Sequence, residues 1–245
     1  MKSASGHPIL IGTSGYSYKE WKGLFYPPDL PAKNYLRFYS EHFPTTEINN
    51  TFYRFPTESA SSGWREQVSP EFRFSVKLTQ AITHRKKLRE VRDDMNWFLK
   101  GIQPLRGQLA AILVQLPPYL RKDIAALRAF LDEFGELPLA FEFRHESWRD
   151  DEVLTSLADR KAALVIAETD ETPALREVPG RFAYLRLRKS EYAGGELESW
   201  ASWILNLGVP RFVYLKHDEQ APALASRLLE IIKSQSEAPV AGNTP

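Results

Sequence analysis

Segments with the pattern of buried β-strands alternate with segments with the pattern of amphipathic helices along almost the whole chain. Leu109–Leu116 is a nearly continuous apolar run followed by two prolines, which is typical of a strand buried on both faces. Apolar and polar residues alternate in Phe72–Leu78, whereas Arg121–Phe134 has helical spacing. About eight such strand–helix units follow one another, and this predicts parallel strands joined by helical crossovers.

The length of the chain favours one arrangement of these units. A (β/α)8 barrel of the TIM type usually takes about 250 residues, and the chain has 245. We therefore predict an α/β fold with one closed barrel, and a doubly wound open sheet is the alternative. No linker-like interruption divides the chain, so residues 1–245 are predicted to form a single domain. Its core should span about residues 7–233, and Ser234–Pro245 should be a polar tail without a helix.

Each predicted element has bounds set by turn-forming or polar residues. The predicted strands are His7–Thr13, the first half of Thr45–Pro56, Phe72–Leu78, Leu109–Leu116, Leu139–Arg144, Ala162–Glu168, Phe182–Arg188 and Arg211–His217. The predicted helices are Pro31–His42, Glu58–Val68, Arg92–Ile102, Arg121–Phe134, Asp150–Arg160, Glu196–Leu207 and Ala221–Lys233.

Composition excludes several classes of protein. The formal net charge of +1 argues against a dedicated polyanion binder, although a local basic patch is compatible with it. The absence of cysteine excludes disulfides, thiolate metal sites and cysteine nucleophiles, and it suits a reducing compartment. The first residues, MKSASGHP, contain no apolar signal-peptide core, and no apolar run has transmembrane length. We therefore expect a cytoplasmic protein without a membrane partner; the oligomeric state stays open.

The stretch Thr45–Pro56 carries an acid and two amides between strand-forming residues. In a short strand, Glu47 and Asn49 would share one face and Ile48 would lie on the other. A carboxylate beside an amide just before a loop is suited to a binding or catalytic site. An asparagine-rich turn that satisfies its own backbone is the alternative.

The predicted barrel brings polar residues of several strands to the same end. We take the large apolar face of each strand as the face that packs on helices. The residues then assigned to the lumen, nearly all at carboxyl ends, are Gly12, Ser14, Glu47, Asn49, Lys77, Gln115, Glu142, Arg144, Glu168 and Arg186. Barrel enzymes keep their active sites at this end, so we predict a ligand or catalytic site there. In the alternative, Lys77, Arg144 and Arg186 pair with the three glutamates and plug the barrel mouth.

Other candidates lie in the loops around this mouth. His84 belongs to the basic loop Thr83–Arg89, which we expect to contribute ligand affinity through its charge. His145 and Trp148 follow the fifth strand and would either bind ligand or pack the loop. Tyr16 belongs to an aromatic loop that would wall the pocket or cover the barrel rim.

A metal or cofactor is not predicted. The five histidines show no pair at ligand spacing, and the lysine and arginine side chains of the mouth would oppose a bound cation. No phosphate-binding glycine motif and no nucleophile-elbow motif occurs. His217 and Asp218 end the eighth strand, where Asp218 would also serve as a helix cap.

Specific motifs over nearly the whole chain, from Ile9 to about Lys233, resemble the DUF72 (YecE-like) family. They are Gly12-Thr13-Ser14-Gly15-Tyr16-Ser17-Tyr18, Trp21, Phe25-Tyr26-Pro27, Glu47-Ile48-Asn49, Thr51-Phe52-Tyr53-Arg54, Trp64, Phe74, Lys77, Thr83-His84, Gln115-Leu116-Pro117-Pro118, Glu142-Phe143-Arg144-His145 and Ser147-Trp148. The resemblance implies a TIM-type barrel but no function. The chain departs from the family pattern at Arg186-Leu187-Arg188-Lys189 and at His217-Asp218, and the added cations favour an anionic ligand.

Three functions are compatible with these residues. The first is an enzyme, a hydrolase or a lyase, acting on a phosphate-bearing nucleotide, sugar phosphate or nucleic-acid end. In it, phosphate oxygens would be held by Lys77, Arg144, Arg186 and Arg188, and either Glu142 or Glu47 would act as general base or acid. Glu142, between Lys77 and Arg144, would stay ionised and serve better as a base. The second is a glycoside-processing enzyme with Glu47 and Glu142 as its carboxylate pair. The third is a non-catalytic binder of an anionic metabolite or of single-stranded nucleic acid.

The predicted site residues fall into two groups. The catalytic candidates are Glu142, Glu47 and Lys77. The substrate-binding candidates are Ser14, Tyr16, Asn49, Tyr53, His84, Gln115, Arg144, His145, Trp148 and Arg186.

Overall fold

Eight parallel strands close into one barrel, which confirms the predicted (β/α)8 architecture against the open sheet. The computed structural model describes residues 6–216 and 219–237. The strands are β1 Ile9–Ser14, β2 Thr45–Ile48, β3 Arg73–Lys77, β4 Leu109–Gln115, β5 Leu139–Glu142, β6 Ala163–Glu168, β7 Ala183–Leu187 and β8 Arg211–Leu215. Neighbours in sequence pair throughout, and β1 pairs with β8 with Ile9 opposite Arg211.

The α-helices surround the barrel; the first six connect successive strands, and the seventh follows β8. They are α1 Tyr35–His42, α2 Glu58–Arg65, α3 Arg92–Ile102, α4 Ile124–Phe134, α5 Asp151–Asp159, α6 Glu196–Leu205 and α7 Ala221–Glu237. Residues 169–182, all of them described, connect β6 to β7 without a helix. No helix in the described ranges combines the length and the apolar character needed to cross a membrane.

The predicted polar tail is wrong at its start, because α7 continues through Ser234 to Glu237. Gln235 explains the longer helix, since it is hydrogen-bonded to two residues of α6: its Oε1 accepts from Ser202 Oγ at 3.1 Å and its Nε2 donates to the Glu198 carbonyl at 3.4 Å. The rest of the predicted tail, residues 238–245, lies outside the described residues, as do His217 and Asp218.

The two faces of the strands pack into two separate apolar layers, as the alternation of the sequence predicts. Phe74 and Val76 of β3 belong to the layer between strands and helices, whereas Ser75 points the other way and bonds the Tyr214 hydroxyl inside the barrel. Small and aromatic side chains fill the lower lumen; they include Ala111, Leu113, Ala140, Ala163, Phe182, Tyr184, Phe212 and Tyr214. The lumen is therefore closed by packed side chains below, and its charged groups gather at the carboxyl end.

The assignment of Glu168 to the lumen is wrong. Its Oε2 accepts a hydrogen bond of 2.9 Å from Trp200 Nε1 on α6, which lies outside the barrel. The lumen face of β6 is formed by Val165 and Ala167 instead, and Ile166 shares the outer face with Glu168. A strand has a period of two, so Glu168 must follow Ile166 to the helix side.

The aromatic loop between β1 and α1 mainly covers the barrel. Trp21 and Tyr26 are 1% exposed, and the Tyr26 ring stacks on Tyr35 of α1 with centroids 4.0 Å apart. Gly12 allows β1 to lie close to β2, because a Cβ there would be 1.9 Å from the Thr45 carbonyl oxygen. The end of β1 is thereby held against β2, where the polar groups of the mouth begin.

Candidate active site

A cavity of about 570 Å³ opens at the carboxyl end of the barrel. Its walls come from the ends of five strands, β1 to β4 and β7, and from residues that follow β1, β2, β5, β7 and β8. The lining residues are Ser14, Gly15, Tyr16, Ser17, Tyr18, Glu47, Ile48, Asn49, Asn50, Phe52, Tyr53, Lys77, Gln115, Arg144, Arg186, Arg188 and Lys216.

Glu47 lies at the floor of this cavity and is completely buried. Its Oε1 accepts from Ser14 Oγ at 2.5 Å and from Asn49 Nδ2 at 3.1 Å, which confirms that Glu47 and Asn49 meet. The same oxygen accepts from Arg186 Nη2 at 2.8 Å, and Oε2 accepts from the Tyr184 hydroxyl at 2.6 Å. Four donors thus hold one carboxylate in a fixed position.

Arg186 joins Glu47 to a second buried carboxylate, Glu142. The Nη1 of Arg186 donates to Glu142 Oε2 at 2.5 Å, and Arg188 Nη2 donates to Glu142 Oε1 at 2.5 Å. The Nε atoms of both arginines are buried without a hydrogen-bond partner among the described residues. Glu47, Arg186, Glu142 and Arg188 therefore form a continuous charge network with two acids and two bases.

The network keeps its members charged. Burial alone would raise the pKa of Glu142, but Arg186 and Arg188 outweigh it and lower that pKa from 4.5 to about 2. Burial also opposes the ionisation of Glu47, yet Arg186 and the hydrogen bonds to Glu47 lower its pKa below the ordinary value. The pKa of Arg186 is raised because the two carboxylates outweigh the effect of burial. Glu47 and Glu142 are thus carboxylates at neutral pH.

Lys77, at the end of β3, lies outside this network. The acids at the mouth are paired with arginines, and within the described ranges Lys77 itself forms no ion pair. Its Nζ donates to Gln115 Oε1 at 2.8 Å and lies 4.1 Å from the centre of the Phe52 ring. Burial, followed by the charge of Arg186, lowers the pKa of Lys77 from 10.5 to about 8.

Two exposed cations stand at the rim of the cavity. The prediction that Arg144 flanks Glu142 inside the lumen is wrong, because β5 ends at Glu142 and Arg144 lies exposed beyond the strand. Lys216 follows β8 and is also exposed. Neither side chain has an ion pair in the part of the chain that the structure describes. With Lys77, they give the cavity three positive charges that the network does not neutralise.

The structure brings most of the predicted site residues to one place. Those lining the cavity are Ser14, Tyr16, Glu47, Asn49, Tyr53, Lys77, Gln115, Arg144 and Arg186. Glu142 is connected to these residues by its ion pair with Arg186. His84 is set back behind Phe52, with the two ring centroids 4.9 Å apart. Burial and the charges of Lys77 and Arg144 lower the pKa of His84.

His145 and Trp148 line a separate, adjoining cavity of about 670 Å³. Trp148 is 3% exposed, stacks on Phe143 at 4.5 Å and donates to the Leu120 carbonyl at 2.8 Å. His145 Nδ1 accepts from the Ser147 amide at 3.1 Å at the start of a short 3₁₀ turn. These contacts correspond to the loop-packing alternative for both residues.

The basic loop after β3 offers exposed charge. Arg85, Lys86 and Lys87 are exposed, Leu88 is buried, and Lys86 forms a surface ion pair of 2.6 Å with Asp94. We expect replacement of Arg85, Lys86 and Lys87 by serine to change the melting temperature by no more than about 2 °C, because exposed side chains contribute little to stability. Binding of an anionic ligand should weaken and depend less on salt, as titrations at two ionic strengths would show. A large fall in melting temperature would contradict this prediction.

The family profile described as "Protein of unknown function DUF72" matches residues 10–245. This chain belongs to the DUF72 family. The DUF72 protein is 32% identical over 139 residues to UPF0759 protein YecE of Escherichia coli (strain K12), covering 56% of this chain and 48% of YecE. It is 29% identical over 149 residues to UPF0759 protein YunF of Bacillus subtilis (strain 168), covering 57% and 52%. The chain spans about half the length of these curated relatives.

Solved structures agree with this membership. A DUF72 family protein from Thermotoga maritima superposes with a TM-score of 0.82 at 25% identity, over 93% of this chain and 100% of that one. A DUF72 family protein from Enterococcus faecalis gives a TM-score of 0.73 at 18% identity, over 93% and 98%, and this likeness shows the fold alone. In this DUF72 protein the described residues include no group of three or more histidine, aspartate or glutamate side chains placed to hold a metal ion.

Proposed function

We propose that this DUF72 protein is a metal-independent enzyme that acts on a small phosphate-bearing substrate at the carboxyl-end mouth of its barrel. The observation that carries the proposal is the charge left over at the cavity. Arg186 and Arg188 neutralise Glu47 and Glu142, so Lys77, Arg144 and Lys216 face the cavity without a carboxylate partner among the described residues. Such cations attract phosphate oxygens and repel a divalent cation.

The roles of the residues follow from their protonation. Glu142, with a pKa of about 2 and both oxygens bound by arginines, is a poor base near pH 7. Lys77, with a pKa of about 8, exchanges a proton close to neutral pH and is the stronger candidate for catalysis. Arg144 and Lys216 would bind the phosphate, and Glu47 and Glu142 would position Arg186. The reaction class remains a hydrolase or a lyase, and we place the enzyme in the cytoplasm.

The glycoside-processing alternative is disfavoured by the same pKa values. A glycosidase needs one carboxylic acid that stays protonated near neutral pH. The pKa values of Glu47 and Glu142 are both lowered, and one guanidinium bridges the two side chains. Neither group is therefore suited to protonate a leaving sugar.

One observation supports the alternative that the protein is a non-catalytic binder of single-stranded nucleic acid. Tyr53 lines the cavity, is 75% exposed and lies against Phe52, where a base could stack. This alternative predicts that an oligonucleotide binds more tightly than any mononucleotide. Replacement of Tyr53 by alanine would then weaken oligonucleotide binding strongly.

Calorimetric titration tests the phosphate proposal. Glycerol 3-phosphate and adenosine 5′-monophosphate should bind to the wild type, whereas glycerol and adenosine should not. The double variant Arg144→Gln, Lys216→Gln should lose most of this binding. Arg106→Gln is the matched control, since Arg106 is exposed and precedes β4 at the opposite end of the barrel. Depletion of individual phosphorylated compounds from a metabolite pool would then identify a substrate.

Two results would contradict the proposal. The first is equal heats for phosphorylated and unphosphorylated compounds. The second is phosphate binding that Arg106→Gln weakens as much as the double variant does. Tight oligonucleotide binding without depletion of any metabolite would instead support the binding-protein alternative.

A further inference from the structure

The amine of Lys77 is partly buried in the cavity wall and has no ion pair with another described residue. Several other lysines are held by carboxylates: Lys86 by Asp94 and Lys122 by Asp150, each at 2.6 Å, and Lys189 by Glu196. Two glutamates, Glu47 and Glu142, lie near Lys77. Their carboxylate oxygens are already bound by the arginines Arg186 and Arg188.

The groups that do contact Lys77 leave its nitrogen free to react. Gln115 accepts one hydrogen bond through a neutral amide oxygen, and the Phe52 ring faces the amine at 4.1 Å. Neither partner neutralises a charge fully, and both hold the nitrogen at the wall of the 570 Å³ cavity. A lysine that is partly desolvated and adjacent to guanidinium groups is a nucleophile rather than an ion-pair partner.

We propose that Lys77 forms an imine with the carbonyl carbon of a phosphate-bearing aldehyde or ketone. This inference rests on the proposed function, because Arg144 and Lys216, which line the same cavity as Lys77, would bind the phosphate and present the carbonyl to Nζ. It narrows the substrate class from phosphorylated compounds in general to those that carry a carbonyl group.

The chemical step balances without any further reagent. The neutral amine adds to the carbonyl carbon and gives a carbinolamine. The carbinolamine then loses the former carbonyl oxygen as water, with the two hydrogens that the amine carried, and a C=N bond replaces C=O. Protonation of that nitrogen gives an iminium, which withdraws electrons from the neighbouring carbon–carbon and carbon–hydrogen bonds. Of the two proposed reaction classes, a lyase is favoured, because the iminium can accept the electron pair of a neighbouring carbon–carbon bond when that bond is cleaved.

Reductive trapping tests the proposal on the wild-type protein. The protein is incubated with glyceraldehyde 3-phosphate or dihydroxyacetone phosphate and reduced with cyanoborohydride, which turns an imine into a stable secondary amine. Peptide mass spectrometry then measures the modified fraction of each lysine. We expect Lys77 to be modified at least about tenfold more than exposed Lys33 and Lys161, because more of its amine is neutral near pH 7.5. Inorganic phosphate should suppress the reaction at Lys77 and leave the exposed lysines unaffected.

Three variants and one matched probe complete the design. Lys77→Arg keeps the charge but cannot form an imine, so the preferential adduct should disappear. Lys161→Arg removes one exposed lysine, and the preferential adduct at Lys77 should remain. The double variant Arg144→Gln, Lys216→Gln should reduce modification of Lys77 by the phosphorylated probes. Unphosphorylated glyceraldehyde should modify Lys77 several-fold less than glyceraldehyde 3-phosphate does, because it lacks the phosphate that Arg144 and Lys216 would bind.

The outcomes separate this inference from the proposed function. If glycerol 3-phosphate binds at the mouth but the adducts spread evenly over the lysines, the imine proposal is overturned and the phosphate site stands. If glyceraldehyde modifies Lys77 as well as its phosphate does, and inorganic phosphate has no effect, the phosphate-bearing substrate class is overturned. Selective, phosphate-suppressed modification of Lys77 supports both.

Discussion

Replacement of Arg186 by methionine should lower the free energy of unfolding by about 3–5 kcal/mol. Arg186 is 3% exposed and is the bridge between Glu47 and Glu142. Methionine fills part of the volume but leaves two ionised carboxylates buried, and only Arg188 remains as a cationic partner of Glu142. Urea denaturation of the wild type and the variant at pH 7 would measure the difference.

Arg181→Met is the matched control for this prediction. Arg181 is an exposed arginine just before β7, and its side chain donates a hydrogen bond of 3.2 Å to the Glu136 carbonyl. Its replacement should change stability by no more than about 0.5 kcal/mol. Adding Glu47→Gln and Glu142→Gln to Arg186→Met should restore part of the loss, because no buried carboxylate is then left unpaired. An Arg186→Met protein as stable as the wild type would contradict the network.

The pH dependence of stability gives a second check. Glu142 has a folded-state pKa of about 2 against an ordinary 4.5. The folded state therefore binds this proton less readily than the unfolded state, and the stabilisation is complete above about pH 5 and lost as the pH falls towards 2. Without Arg186, the pKa of both glutamates would rise, because burial would then be opposed mainly by Arg188 at Glu142 and by hydrogen bonds at Glu47. The stability gap between wild type and Arg186→Met should thus narrow as the pH is lowered.

Strand parity explains how much of this site the sequence predicts. A period of two sends Ser75 and Lys77 into the lumen and Phe74 and Val76 outward, and the structure confirms this. The same parity in FAYLRLR places Tyr184 on the face of Arg186, although the sequence alone gives no reason to pair its hydroxyl with Glu47. Local pattern thus determines which face a side chain takes but not which partner it finds.

Partners across the barrel depend on strand stagger and on where each strand ends. Arg144 shares the parity of Glu142 in the sequence, but β5 ends at Glu142 and the chain leaves the lumen. Arg188, which is 46 positions from Glu142 in the sequence, pairs with Glu142 in the place predicted for Arg144. Lys216 was missed because a single lysine after a strand carries no motif. Such contacts arise from closure of the barrel, which no local pattern encodes.

Replacement of Glu142 by glutamine should lower stability and tighten phosphate binding at the same time. The amide keeps the size of the side chain but leaves Arg186 and Arg188 with one carboxylate between them instead of two. We expect a loss of about 3 kcal/mol, at the lower end of the range for broken buried pairs, because the side chain of Arg188 is 14% exposed and water can reach it. The mouth gains one net positive charge, so glycerol 3-phosphate should bind several-fold more tightly by calorimetry.

The direction of the change in phosphate affinity shows whether the charge network influences ligand binding or only plugs the barrel. Arg186→Met should weaken phosphate binding and Glu142→Gln should strengthen it, although both lower stability, because the first removes a positive charge from the mouth and the second removes a negative one. Glu146→Gln is the control, since Glu146 is an exposed glutamate four residues further along, and it should change neither property. A destabilised Glu142→Gln protein that binds glycerol 3-phosphate with unchanged affinity would mean that the network only plugs the barrel. A variant of wild-type stability with weakened binding would mean that Glu142 contacts the ligand directly, which the two arginines on its oxygens argue against.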